Sequence, residues 1–400
     1  MIGYKNIVCV SNTTWEGFYT KSTVQIMSLL AKRNKVLFVE YPFTLKDFLS
    51  TLLGKGRAPV SRMLGLAKRM VAEQTNFDTT VYHLVIPPLL PVEFIKIEPL
   101  YKMLLKLNTL IYAGSVKRAL RKLEMNDPVC INAYNAIYGR NMVGKINEKL
   151  HLFYCYDGPN TGRYGQRATD ADQSFATQVD GVIVTSEFLA SSMKEFNQEM
   201  FVVKNGVDFR IFNQDAKTAL NNTGKRKKVG YIGSLDQRFD IDTIEYSVQQ
   251  LPDYDFEFIG ELMNRNVEQR LSGYQNVKFL PPVKPNEVPG LLQKCDVGLI
   301  PYICNEYSKN IYPLKINEYL SVGVPVVLTS FADLPEFNEI VSFTSGKEDF
   351  CKAIVREIEN DSLESIKKRI QFAEKNSWEN RAQLFDDVID RLLEKKLKRQ

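Results

Sequence analysis

At 400 residues the chain is too long for one ordinary core and comfortable for two domains of about 200 residues each. Hydrophobic content of 44% and charged content of 25% are globular values that exclude a disordered or fibrous chain. The net charge of +5 divides unevenly: residues 1–150 hold 21 Lys/Arg against 10 Asp/Glu, and the rest hold 31 against 37. A basic end suggests an anionic partner, whether a phosphate-bearing ligand, nucleic acid or an anionic membrane surface.

Met1 to Tyr4 leads directly into the strand-like run Asn6–Val10, so no secretory signal is expected, and the reduced state expected of the cysteines makes the cytoplasm, or the inner face of the cell membrane, the expected compartment. The nearest approach to a membrane span, Leu100 to Gly114, is broken by Lys102 and Lys106. Six cysteines are widely spaced. Cys9, Cys130, Cys155 and Cys295 fall in or beside predicted strands, where reduced buried thiols are expected. Two histidines, His83 and His151, disfavour a His-based metal site or a Ser-His triad.

β-branched runs alternate with longer amphipathic segments along the whole length, the pattern of parallel βαβ units. Strands are predicted at 6–10, 35–39, 81–86, 128–132, 151–156, 181–185 and 200–203, and helices at 20–33, 96–124, 140–148 and 186–196. Residues 213–228 are polar without apolar period and read as a surface linker. Strands resume at 229–233, then near 255–259, 276–280, 296–300, 325–328 and 340–343. Helices are predicted near 240–250, 285–294, 314–322, 347–359 and 362–375, with a last one from Ser377 or Trp378 to Lys395. The expected architecture is α/β: two doubly wound domains with a cleft, ligands binding beyond the carboxyl ends of the strands. The expected domains are 1–212 and 229–376, with 377–400 as a closing helix.

The segment Pro313-Leu-Lys-Ile-Asn-Glu-Tyr-Leu-Ser-Val-Gly-Val-Pro-Val-Val327 carries the most chemistry. Pro313 can open a helix, and the amides of Leu314, Lys315 and Ile316 would then form an anion site to which Lys315 adds a full charge. Glu318 could accept both hydroxyls of a ribose. Read alone, Lys315 and Glu318 could equally be a surface ion pair. Gly323 is placed to end the helix.

This segment resembles the donor-binding motif of GT-B glycosyltransferases of group 1 (family 4-like). Gly181–Ser186, the Asn205-Gly-Val-Asp208 signature with Phe212, Tyr231–Leu235 and Ser377-Trp378 resemble further elements of that family in the same order, over about residues 180–385. Thr14-Trp-Glu-Gly17 and Val36–Pro42 look like bacterial surface-polysaccharide transferases of the teichuronic-acid type. The resemblance implies a GT-B fold of two Rossmann-like domains, with residues 1–212 taking the acceptor. The terminal helix would cross back to that domain.

By position it places Gly233, Ser234, Arg238, Leu314, Lys315 and Ile316 at the donor diphosphate, Glu318 at the ribose, and Pro282 and Val283 beside the base. Asn310 stands where the family commonly has a first glutamate near the donor sugar. The implied donor is a nucleotide sugar, with UDP favoured over GDP, and the implied acceptor a saccharide or polyprenyl-linked saccharide. No metal or other cofactor is expected.

An inverting transfer needs a carboxylate base within reach of the acceptor hydroxyl. Asp157, after strand 151–156, is the candidate; a retaining enzyme would need it only for positioning, and a helix cap or Asx-turn is an equal reading. Acceptor contacts are expected from Asn12, Thr13, Trp15 and Glu16 after the first strand, and from Asn132, Tyr134 and Asn135 after the fourth, since amides and aromatic faces suit sugars. Asp170-Ala-Asp172 and Asp240-Ile-Asp242 resemble metal-binding triplets of another transferase fold, but Asp240 is placed as an N-cap. Residues 46–73 and 95–125 combine apolar residues with dense Lys/Arg, either solvated helix faces or a peripheral membrane contact. The competing functions are a nucleotide-sugar epimerase of the same fold and a non-catalytic sugar-binding protein. No nucleic-acid module or G-x-G-x-x-G is present.

Overall fold

The computed structural model describes residues 4–16, 21–158, 165–220 and 226–398. Two compact units divide it. The first is Met1–Lys204 together with Arg381–Gln400, and the second is Asn205–Asn380.

Among the described residues eight strands form the sheet of the first unit: β1 Asn6–Ser11, β2 Lys35–Val39, β3 Met70–Gln74, β4 Thr80–Leu84, β5 Val129–Ala133, β6 Leu150–Cys155, β7 Gly181–Val184 and β8 Met200–Val202. Their order is β3-β4-β2-β1-β5-β6-β7-β8, parallel except where β3 pairs antiparallel with β4. β5 and β6 are buried along their whole length, which is why they read as mostly apolar runs, interrupted by Asn132 and His151, rather than as alternating ones. β3 is an unforeseen edge strand, half exposed and polar at Glu73 and Gln74. The chain runs outward from β1 to β2, then returns to place β5 on the other side of β1. The sheet therefore reverses direction between β1 and β5, and the loops at the carboxyl ends there part to leave a crevice.

The second sheet is fully parallel: β9 Lys227–Ile232, β10 Tyr254–Ile259, β11 Val277–Leu280, β12 Val297–Ile300, β13 Val326–Thr329 and β14 Ser342–Thr344. Its order is β11-β10-β9-β12-β13-β14, so its reversal lies between β9 and β12. Gly323, with φ 84°, ends the helix Leu314–Val322 as the sequence requires.

Helices Leu45–Leu52, Val60–Leu64 and Arg265–Leu271 were, like β3, not foreseen, and other segments also differ from expectation. The helix predicted at 140–148 lies at Ala136–Met142, because Gly144 and Asn147 both take positive φ and cannot continue it. The helix Gln166–Ala176 was not foreseen. The expected linker 213–228 is in part built into the second unit: Lys217 is buried, its amide bonded to Val322 O at 2.9 Å and its ammonium to Cys295 O at 2.5 Å. The signature Asn205–Asp208 also belongs to this unit, where Val207 bridges Ser377. The contact boundary thus falls at Lys204, before the predicted 212.

Candidate active site

The reversal of the second sheet gathers the motif residues. β9 ends in Gly233, whose φ is 145°. A Cβ there would lie 2.2 Å from Lys315 Cε and 2.5 Å from its Nζ, so only glycine leaves room for that ammonium. Lys315 Nζ donates to Tyr302 Oη at 3.2 Å and lies 5.4 Å from the Tyr231 ring centroid and 5.8 Å from that of Tyr302. Among the described residues it has no carboxylate partner. The Lys315–Glu318 surface pair is therefore not formed, and the ammonium stands among aromatic faces at the start of a helix whose first turn no side chain caps.

Glu318 lies one turn on, half-buried and without a hydrogen-bond partner among the described residues. Burial raises its carboxyl above the usual range, against the pull of Lys315. Arg238 stacks 5.3 Å from the Tyr302 centroid and is held by Asp236, with Nε 2.9 Å from Oδ1. Burial raises Asp236, but hydrogen bonds from Arg238 outweigh it and hold the carboxyl below its ordinary value. Ser234 accepts through its carbonyl from Tyr231 Oη at 2.8 Å, and the Tyr319 hydroxyl accepts from Ile232 N at 3.0 Å, pinning the end of β9 to the helix. Leu314 and Ile316 flank Lys315 in that first turn. Val283 is half-buried against the core beyond β11, and Pro282 is exposed. Asn310 ends a short 3-10 turn; its side chain is outside the described residues. Tyr231, Tyr302 and Tyr319 were missed by the sequence reading.

In the first unit the expected acceptor residues do not form a single group. Asn12 and Tyr134 line one cavity of about 30 Å³ at the β1/β5 reversal, together with Asn135 and the unforeseen Asp172. Trp15 packs elsewhere, edge-on to Phe38 at 4.9 Å and stacked on His83 at 5.9 Å, its amide donating to Glu40 Oε1 at 2.9 Å. Thr13 closes a local turn with Ser11, and Glu16 is exposed. Asn132 is the correction: it has no exposed surface, and its Oδ1 faces His151 Nε2 inside the core, so it cannot reach an acceptor.

Asp157 is half-buried, its Oδ1 accepting from the Gly158 amide at 2.9 Å as in a local turn. Gly17 and residues 159–163, parts of the expected acceptor loops, lie outside the described residues. The two Asp-x-Asp triplets serve separate purposes: Asp240 caps its helix by accepting from Thr243 N at 3.1 Å, while Asp170 is exposed and Asp172 buried on one helix.

Residues 226–360, which include this ammonium, Gly233 and Glu318, match the family model "Glycosyl transferases group 1". The second unit carries a group 1 glycosyltransferase domain. Over 222 residues the chain is 26% identical to a Bacillus subtilis (strain 168) protein named as a teichuronic acid biosynthesis glycosyltransferase, TuaH. That match covers 52% of this chain and 56% of the relative, so just over half of the relative's length is represented. In fold, the chain resembles an α,α-trehalose-phosphate synthase (UDP-forming) from Burkholderia vietnamiensis, with TM-score 0.67, 12% identity, and 96% and 100% of the two chains covered. It also resembles HepE of Anabaena, solved with UDP and glucose, with TM-score 0.64, 12% identity, and 96% and 99% covered. The two-sheet architecture is that GT-B fold, and the glycosyltransferase domain is its second half.

Proposed function

We propose that the protein transfers a sugar from a nucleotide-sugar donor, a UDP-sugar, to a saccharide or polyprenyl-linked saccharide in cell-surface polysaccharide synthesis. The observation that carries this reading is the Lys315 ammonium beside Gly233, which has no carboxylate partner among the described residues, one helical turn from the Glu318 carboxyl, which has no hydrogen-bond partner among them. A diphosphate complements the first and the vicinal hydroxyls of a ribose the second. Arg238, already oriented by Asp236, adds positive charge for the departing nucleoside diphosphate. Asp157 is the proposed base or positioning carboxylate on the acceptor side. The HepE complex with UDP and glucose and the UDP-forming synthase favour UDP. A thermal-shift series tests the reading, since a ligand that binds only the folded state stabilises it. UDP should raise the melting temperature of the wild type by several degrees and leave Lys315→Ala unmoved. No response of the wild type to UDP or any UDP-sugar would overturn it.

The acceptor proposal includes a peripheral lipid contact through the first unit. On the helix Glu98–Lys122 one face is buried at Tyr101, Leu105 and Tyr112, while Leu100, Met103, Leu107 and Leu110 form a second, solvent-facing apolar stripe. Leu49, Leu52 and Leu53 are exposed on and after the helix Leu45–Leu52, which adjoins the same region: Leu45 N donates to Leu89 O at 2.8 Å and Lys46 lies 4.4 Å over the Phe94 ring. Lys55, Arg57, Lys96, Lys102 and Lys106 are exposed around these leucines. Apolar side chains ringed by cations complement an anionic leaflet. Among the described residues no helix is long and apolar enough to cross a membrane.

A further inference from the structure

The first sheet reverses between β1 and β5, as the second does between β9 and β12, and a polar cavity lies at that first reversal. Its residues come from three elements that follow adjacent strands: Asn12 after β1, Tyr134 and Asn135 after β5, and Asp172 on the helix Gln166–Ala176 after β6. Asp172 is nine-tenths buried, yet its carboxyl has no hydrogen bond or ion pair among the described residues. The Asn12 side chain likewise has none. Asn135 commits one amide hydrogen to Ser11 O at 3.4 Å, and its oxygen has no partner among the described residues. A buried carboxyl without a partner is costly, and here it shares one small space with the Asn12 amide and with an Asn135 amide of which only one hydrogen is committed.

We propose that this cavity is a subsite for a single hydroxyl or hydroxymethyl group of a saccharide, held by Asp172, Asn12 and Asn135. The proposal rests on the acceptor side of the reading above but requires only the first unit.

The size selects the ligand. A volume of about 30 Å³ admits one or two water-sized groups and no sugar ring or nucleobase. The charge selects further, because a phosphate would meet the Asp172 carboxylate. A hydroxyl both donates and accepts, which suits a carboxyl beside amide oxygens and N–H groups. Burial lifts the Asp172 carboxyl to about 7, so near neutrality it exists in both forms and can take either role. Ile137, Ala136 and Ala168 supply apolar walls, which suits the C–H face that carries such a hydroxyl. The sequence hid this site because the Asp-Ala-Asp triplet reads as a metal motif, whereas the helix presents its two carboxylates to different surroundings.

Saturation-transfer NMR on the full chain without nucleotide, using methyl β-D-glucopyranoside as probe, tests the proposal. The wild type should transfer saturation to the probe, Asp172→Ala and Asn12→Ala should lose at least fivefold, and Lys315→Ala should match the wild type. Asp172→Leu, which fills the space without burying a charge, is the second variant and should also lose the signal; a native melt checks the fold of each. Absence of transfer from the wild type, or transfer equal to the wild type's from folded Asp172→Ala and Asp172→Leu, overturns the subsite. Since UDP binding is read separately by thermal shift, loss of the glucoside signal with UDP binding intact refutes the subsite alone. A glucoside signal without UDP binding supports the subsite and removes the transferase reading.

Discussion

Gly233 and Lys315 contend for one space: the ammonium-bearing end of Lys315 occupies the position where any other residue at 233 would place its Cβ. The conformation enforces the same choice, since φ of 145° is reached readily by glycine and rarely by an L side chain. Gly260 repeats the constraint, because a Cβ on it would lie 2.1 Å from Gly233 O. Backbone is thus kept bare where a diphosphate would approach. Gly233→Ala should cost about 1–3 kcal/mol of stability and displace Lys315. Calorimetric titration with UDP should show at least a tenfold loss of affinity. A variant that binds UDP normally would separate Gly233 from the donor site.

Glu318 supplies a prediction with opposite signs in two measurements. Its carboxyl is raised by burial, so the native state holds the proton more tightly than the unfolded chain. Its contribution to stability therefore declines as pH rises from the unfolded value through the native one. Glu318→Gln should then be at least as stable as the wild type at pH 8 in urea denaturation. The same variant should bind UDP more weakly by about tenfold, the worth of about 1.5 kcal/mol in a charged hydrogen bond. Weaker binding together with lower stability at pH 8 would mark Glu318 as structural.

These residues also show what a sequence discloses. The strands and the helix Leu314–Val322 were legible because buried parallel strands are mostly apolar and the helix is bounded by Pro313 and Gly323. Lys315 was legible as a charge at a helix start. Its aromatic surroundings were not, since Tyr231, Tyr302 and Tyr319 come from three elements that only the tertiary fold brings together. Asn132 was misjudged because alternation along a strand does not say which side meets the core when both are buried. The helix Gln166–Ala176 escaped because Gln-Arg-Ala-Thr-Asp-Ala-Asp-Gln carries almost no apolar period, and its buried face is built from alanines, Phe175 and Asp172 itself.

Asp172 gives the pH dependence a defined window. Its carboxyl moves from 3.8 to about 7 through burial, so the native state binds an extra proton between those values. Stability should fall as pH rises through that window and level off above it, by an amount on the order of 4 kcal/mol at most. Asp172→Asn should match the wild type near pH 4 and exceed it at pH 8. Urea denaturation at the two pH values reads the difference, and parallel curves for both proteins would show that the carboxyl is not desolvated in solution.

The exposed leucines of the first unit can be altered without touching its core. Leu49 and Leu107 are 57% and 45% exposed, so Leu49→Glu with Leu107→Glu should change stability by less than about 1 kcal/mol. Each adds a negative charge to a surface proposed to face anionic lipid. Co-sedimentation with phosphatidylglycerol vesicles at low salt should fall at least tenfold in the double variant. Equal sedimentation of variant and wild type, or none by the wild type, would remove the lipid contact.

Lys5 ties β1 to the closing segment of its own unit. Its side chain is 2% exposed and meets Asp386 at 2.9 Å and Asp390 at 2.5 Å, whose side chains are 12% and 18% exposed. Phe385, a turn before Asp390, packs edge-on against Tyr154 at 5.2 Å, and Leu392 covers Gly181. The partners are unequal: removing both carboxylates strands a buried ammonium, whereas removing the ammonium leaves two carboxylates that retain some solvent. Breaking a buried pair from the stranded side costs about 3–5 kcal/mol. Asp386→Ala with Asp390→Ala should therefore destabilise the chain by that amount in urea denaturation, and Lys5→Met by clearly less. Equal losses would mean that the stability arises from the apolar contacts of Phe385 and Leu392 rather than from the charge network.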